Sequence, residues 1–236
     1  PFHTFLRPFL VFFVAKKSRC SGTDKFTTIP NSINVGRFSR PTADRQTIRS
    51  EWGLTPEHFL FLGLGRLAAE KGFDYLIRAF KPVHEKHPNA RLLIAGEGEE
   101  RQRLTDLIHT LNLQTVVFLA GFRKDAGNLL HAADRFVLSS LKEPFGLVVL
   151  EAIAARCPVI ATDCGGVKDI LSSPGYGILI PPANETALTN AMLNAVETPY
   201  EESNKQVKAA LAVFQKFSHK SAVCITELLY DRLTNN

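Results

Sequence analysis

Cysteine, methionine and tryptophan are scarce in this chain: four, one and one among 236 residues. Cys20, Cys157, Cys164 and Cys224 make no CxxC and no paired spacing, so the sequence offers neither a cysteine-ligated metal site nor a disulfide framework. They read as isolated reduced thiols, the usage of a cytoplasmic protein. The seven histidines form no HExxH; His84 and His87, one helical turn apart, read as a solvated face and not as metal ligands. No secretory signal is recognisable, and the apolar run Phe9–Ala15 falls far short of the ~20 residues of a spanning helix. Internal repeats and low-complexity tracts are missing too. The chain opens on Pro1 and its methionine is Met192, so a native start is not visible; the expectation is processing, or a segment upstream.

What is present describes an ordinary globular domain. Hydrophobic residues make up 45% and charged residues 22%, enough for one full core or for one domain with a piece of another. The net charge of +5 is unevenly placed. Residues 1–49 carry nine Lys and Arg against Asp24 and Asp44, whereas the rest has nineteen basic and twenty-one acidic residues. The basic balance therefore belongs to the leading segment, which either leans on an anionic membrane surface at the cytoplasmic face or is simply solvated, with solvation favoured. Nothing in the pattern asks for a nucleic-acid partner.

From Phe59 onward, short apolar runs alternate with longer amphipathic ones. Phe59–Gly65, Arg91–Gly96, Val116–Ala120, Arg135–Ser139, Val159–Thr162 and Gly177–Ile180 read as strands. Helices are expected at Phe73–His87, Glu99–Leu111, Ala126–Ala133, Gly146–Ala155, Asn184–Glu197, Ser203–Phe217 and Ser218–Leu233, with Pro82 kinking or splitting the first. This order predicts an α/β fold with a doubly wound parallel sheet, Rossmann-like, closed by C-terminal helices. Ligands bind such sheets at the carboxyl ends of the strands. Residues 1–38 fit the scheme poorly. They hold an apolar, basic, helix-like stretch and a short strand Lys25–Ile29, and read as a remnant or linker leading into a domain over 39–236.

Three loops at strand ends carry chemistry. In Gly63-Leu64-Gly65-Arg66-Leu67-Ala68-Ala69-Glu70-Lys71-Gly72 the glycines let backbone approach a ligand, and Arg66 and Lys71 suit a diphosphate. Gly63-x-Gly65-x-x-Ala68 also matches a dinucleotide fingerprint. That fingerprint expects an acid about 20 residues on. Here Glu97 lies thirty-four residues after Gly63, which counts against nicotinamide. Gly96-Glu97-Gly98-Glu99 reads as a tight structural turn with Glu99 at a helix start. Gly121-Phe122 and Gly165-Gly166 open further turns on the same edge, with Phe122 able to lend backbone groups to a base.

The third loop is the most informative. In Glu143-Pro144-Phe145-Gly146-Leu147-Val148-Val149-Leu150-Glu151, Pro144 and Gly146 set a helix start between two acids. The free N–H groups of such a start bind phosphate. Glu151, the one charge between Phe145 and Ala155, costs several kcal/mol in so apolar a helix unless it finds donors. Ribose hydroxyls are one source of donors, and a structural ion pair is another. A glycosidase would need the two carboxylates on opposite sides of one bond. These two flank a single helix start, which favours binding.

The segments GLGRLAAEKGFDYLIRAF, LLIAGEGEE, VVFLAGF, LLHAADRFVLSSLKEPFGLVVLEAIAA and CPVIATDCGG resemble, in this order, the C-terminal domain of retaining glycosyltransferases of family 4, the group 1 enzymes of the GT-B fold. The likeness runs from about Lys25 to the end, and the E-x7-E spacing of Glu143 and Glu151 is its most specific part. It implies a nucleotide-diphosphate sugar (UDP-, GDP- or ADP-linked) as donor substrate, with no metal and no other cofactor. Arg66 and Lys71 would hold the diphosphate and stabilise charge on the leaving group, and Glu143 would hydrogen-bond the donor sugar. Gly65, Phe122, Phe145, Gly146, Leu147 and Val148 would line the donor, and Glu151 would hold its ribose.

The resemblance also implies an N-terminal domain, here missing, that binds an acceptor glycan, lipid or small molecule. This chain would then be half an enzyme, weakly active or inactive alone; the alternative is a non-catalytic nucleotide-sugar-binding or regulatory subunit with a partner chain. Several positions depart from the family pattern. Asn31-Ser32 stands for Asn-Gly and Asn34 for Asp in the loop leading into the domain. Ser139 stands for a common proline, and Arg156 for a glycine.

Overall fold

The computed structural model describes residues 31–171 and 177–198, the backbone of residues 10–13 and 26–29, and single helical residues at 202, 205, 208, 223 and 227. The helices expected at Ser203–Phe217 and Ser218–Leu233 therefore lie outside the described residues, apart from those single positions.

Among the described residues the first elements are β1 (Leu10–Phe13) and β2 (Phe26–Ile29), which pair antiparallel as a two-stranded sheet. The helix-like reading of the leading stretch is corrected here. In its apolar run LVFF the β-branched Val11 and the aromatic Phe12 and Phe13 favour a pleated backbone, and the run becomes a strand. Two short helices follow, α1 (Val35–Ser39) and α2 (Arg45–Ser50), capped by the side chains of Asn34 and Asp44. Ile33 and Phe38 are buried in the main core, inside the stretch read as a lead-in.

Then come β3 (Phe59–Leu64), a 3-10 turn at Ala69–Lys71, α3 (Phe73–Lys86), β4 (Ala90–Ala95), α4 (Arg101–Thr110), β5 (Val117–Gly121) and α5 (Ala126–Ala132). They are followed by β6 (Arg135–Leu138), α6 (Leu147–Ala154), β7 (Val159–Thr162), α7 (Val167–Ile170), β8 (Ile178–Ile180) and α8 (Glu185–Glu197). The six strands, and the helices α3, α4, α5, α6 and α8, fall where hydrophobic periodicity sets them, to within a residue or two, whereas α7 and the 3-10 turn were not expected. Pro82 lies inside α3 without splitting it. Phe80 and Val83, on either side of it, are fully buried, so tertiary packing holds the helix where an isolated one would break.

The six strands β3 to β8 form one parallel sheet in the order β5-β4-β3-β6-β7-β8. Helices cover both faces, which is why β6 and β7 are buried at every position. Alternation along β3 sends Leu60, Leu62 and Leu64 into a core shared with α5, α6 and α7, and Phe61 into one shared with α3, α4 and α8. The fold is a doubly wound, Rossmann-like α/β sheet. Its strand order runs outward from β3 through β4 to β5, then returns to the middle and runs out the other way from β6. The switch point lies between β3 and β6, where crevices for ligands open.

A buried arginine ties the leading helices to this sheet. Arg49 on α2, 1% exposed, donates to the carbonyls of Ala132 and Thr55 and to Asp134 at 3.2 Å. Asp134 also accepts from the N–H of Leu60 at 2.7 Å and from Arg45 at 2.6 Å. Breaking a buried pair by removing one partner leaves an uncompensated charge. Asp134→Ala is therefore expected to lose about 3 kcal/mol of stability. Urea unfolding measures this, and an unchanged midpoint would contradict it.

Candidate functional site

The loops after β3 and β6 emerge side by side at the switch point, and each has a backbone constraint that shapes it. Gly72 has φ +61°, and a Cβ there would lie 2.3 Å from the carbonyl oxygen of Ser139. Only glycine permits both the left-handed turn out of Ala69–Lys71 and this approach. Gly165, at φ +53°, would set a Cβ 1.7 Å from the carbonyl oxygen of Glu143, so the turn after β7 supports the Glu143 loop from beneath. Gly165-Gly166 is thus a packing device.

Between these loops lies a cleft of about 480 Å³. Gly65, Arg66 and Lys71 line it from the first loop, and Glu143, Phe145, Gly146, Leu147 and Val148 from the second; Glu151 reaches it from α6. Nine of the ten residues singled out in the sequence therefore share one cavity. Phe122 does not line it and stands 68% exposed at the end of β5.

Three features give the cleft its chemistry. Lys71 Nζ lies 2.7 Å from Glu143 Oε2, with the two side chains 21% and 11% exposed. An ammonium has three donors and a carboxylate two acceptor oxygens, so this pair keeps capacity for a ligand after satisfying itself. Second, α6 starts on Gly146 at φ +92°, with no side-chain cap. Among the described residues no hydrogen bond reaches the N–H of Leu147 or Val148. Open amides at the positive end of a helix dipole bind anions.

Third, Glu151 is half-buried on α6, and among the described residues no hydrogen bond or ion pair reaches its carboxylate. Burial pushes its pKa up from the usual carboxylate range, and the charge of Arg37 opposes this only in part. A structural ion pair, the other reading of this residue, is not formed among the described residues. A carboxylate in this state is poised to accept from ligand hydroxyls.

Arg66 behaves differently. Its guanidinium lies against both oxygens of Glu99, at 3.1 and 2.9 Å, with the two side chains 66% and 56% exposed. The bond to Glu99 raises the Arg66 pKa, while hydrogen bonding to its own backbone and to Arg66 lowers that of Glu99. Glu99, expected at a helix start, lies two residues before α4 and serves as a partner for Arg66. So exposed a pair is weak and exchanges readily for a stronger anion.

Asn31, Leu64, Ala126 and Pro144 also line the cleft, without having been identified as ligand contacts beforehand. Leu64 and Ala126 carry no signal, since they contribute position and not chemistry. His84 stacks on Phe80 at 6.1 Å and His87 lies 3.4 Å from Glu197, so both sit on a half-buried seam and not on a solvated face. Among the described residues no group of three or more His, Cys, Asp or Glu could hold a metal ion, and no helix is long and apolar enough to cross a membrane. A larger cavity of about 710 Å³ opens where β3, β6 and β7 begin, beside Phe59, Arg135 and Pro158. Parallel sheets bind ligands at the other end.

Residues 44–212 match the glycosyl transferases group 1 family. The chain belongs to that family. It is 46% identical over 150 residues, 63% of its length, to the uncharacterized glycosyltransferase MJ1059 of Methanocaldococcus jannaschii, of which it spans 36%. The structure of Anabaena Alr3699/HepE in complex with UDP-glucose matches 88% of this chain and 57% of its own, with a TM-score of 0.76 and 26% identity. The C-terminal domain of a group 1 glycosyl transferase (LpcC) from Francisella tularensis shares the fold, with a TM-score of 0.66 at 24% identity; the match covers 77% of this chain and 96% of that one.

Glu151 makes the site's electrostatics testable by pH. Above its raised pKa the carboxylate is charged in the folded and unfolded chain alike, and the folded chain bears the desolvation cost. Below the ordinary carboxylate range it is neutral in both, and the cost vanishes. Glu151→Gln is therefore expected to melt above the unmodified protein at pH 8, the margin closing as pH falls towards about 4. Thermal unfolding across that range checks this; a margin independent of pH would contradict it.

Proposed function

We propose that this chain is the donor-binding half of a retaining glycosyltransferase, which holds a nucleotide-diphosphate sugar in the cleft at the switch point. The observation that carries the reading is the Lys71–Glu143 pair lying beside the open N-terminus of α6 in one cavity. The diphosphate suits the amides of Leu147 and Val148 together with Lys71 and Arg66, which leaves Glu99 for the stronger anion. Glu143 takes sugar hydroxyls through its second oxygen, and Glu151 takes the ribose. The base lies towards Phe122.

Breaking the bond between the sugar and the terminal phosphate leaves negative charge on the departing phosphate. Two cations and a helix dipole set at that spot stabilise the charge without reorganising. The role usually given to a divalent ion is thereby within reach of Arg66, Lys71 and α6.

The chain spans 36% of the length of its archaeal relative. This supports an acceptor-binding domain outside the present residues, with an acceptor glycan, lipid or small molecule, and weak or no transfer by this chain alone. The same reading puts the protein in the cytoplasm, its basic leading segment facing an anionic membrane surface or solvent.

Titration calorimetry with UDP, GDP and ADP tests the reading. At least one is expected to bind, and Lys71→Glu is expected to abolish that binding. No heat from any of the three would overturn it.

A further inference from the structure

The loop after β6 is fastened to the loop after β3 directly beneath the ion pair. The N–H groups of Leu141 and Lys142 both donate to the carbonyl of Glu70, at 2.8 and 3.3 Å. One side chain joins these backbone bonds. Ser139, 2% exposed, donates its hydroxyl to the carbonyl of Lys71 at 2.9 Å. The residue it fastens is the one whose ammonium meets Glu143 at 2.7 Å, and Glu143 lies four residues further along the same loop. Ser139 thus bonds one end of the pair and is covalently tied to the other.

We propose that Ser139 is a positioning residue for the Lys71–Glu143 pair. Its hydroxyl fixes the peptide plane between Lys71 and Gly72, and so the direction in which the lysine side chain leaves the backbone. Such fixing matters because the next residue is a left-handed glycine, the type of residue whose backbone is freest to rotate. Without the hydroxyl the carbonyl of Lys71 loses its side-chain tether, and the four-carbon stem is left to sample positions away from Glu143.

Burial alone does not account for the contact. The neighbouring hydroxyl of Ser140 is 0% exposed and finds no partner among the described residues, so a buried serine at this turn is tolerated without one.

The test uses the whole chain and reads the lysine directly. In proton–nitrogen spectra, lysine ammonium groups are seen when an ion pair slows their exchange; the Lys71 signal is assigned by its loss in Lys71→Met. The expected result is that the signal is present in the unmodified protein, lost or broadened in Ser139→Ala, and kept in Ser139→Thr. Ser139→Cys, of similar shape but a weaker donor, makes the same test if the alanine variant does not fold. Affinity for whichever of UDP, GDP or ADP binds is expected to fall about three- to tenfold in Ser139→Ala, the range that one hydrogen bond carries, and to recover in Ser139→Thr. That second readout rests on the proposed function. If the unmodified protein binds no nucleotide the donor reading falls, while the lysine signal still decides the role of Ser139. A Lys71 signal that survives in Ser139→Ala, or is missing from the unmodified protein, overturns the proposal.

Discussion

The ion pair between Lys71 and Glu143 is the contact on which the cleft depends. Both side chains are largely withdrawn from water, at 21% and 11% exposure, and a charge so placed is costly unless its counterpart is held at the right distance. Holding it is the task of two loops from different strands. The 3-10 turn that carries Lys71 ends on a left-handed glycine, and the loop that carries Glu143 rests on Gly165. Each constraint is small, but together they fix a cation and an anion at 2.7 Å with donor and acceptor capacity to spare.

The sheet makes this meeting possible. In the order β5-β4-β3-β6-β7-β8 the chain changes direction once, and the strands on either side of the change are those whose following loops hold the pair. The helix that opens on Gly146 aims its free amides into the same space, and Glu151 lies on that helix. Anion binding, cation placement and hydroxyl acceptance are thus consequences of one topological feature. The larger cavity, where the strands begin, lies at the opposite end of the sheet from this switch-point edge.

Much of this was legible in the residues. The inner strands β3, β4, β6 and β7 are buried almost throughout, so they appear as continuous apolar runs, and the glycines and acids at their ends stand out by contrast. Arg66, Lys71, Glu143 and Glu151 could be chosen because strand ends in a parallel sheet share an edge, whereas Gly65, Phe145, Gly146, Leu147 and Val148 were expected as donor contacts from the family resemblance. What could not be read is what depends on contact across the fold. The bond of Arg66 to Glu99 spans 33 positions, and the tether from Ser139 to Lys71 spans 68. The leading apolar run was misread as helical because periodicity over four residues cannot tell a strand from a turn of helix. Pro82 does not split α3, in which Phe80 and Val83 are fully buried.

The central claim is that a diphosphate sits between the Lys71 loop and the start of α6. It is tested most directly by following the backbone amides during a titration with UDP. The account predicts that the largest shifts fall on Leu147 and Val148, with Lys71 and Gly65 moving in step. Shifts confined to the cavity beside Phe59 and Pro158, or spread over the surface with α6 unmoved, would contradict it.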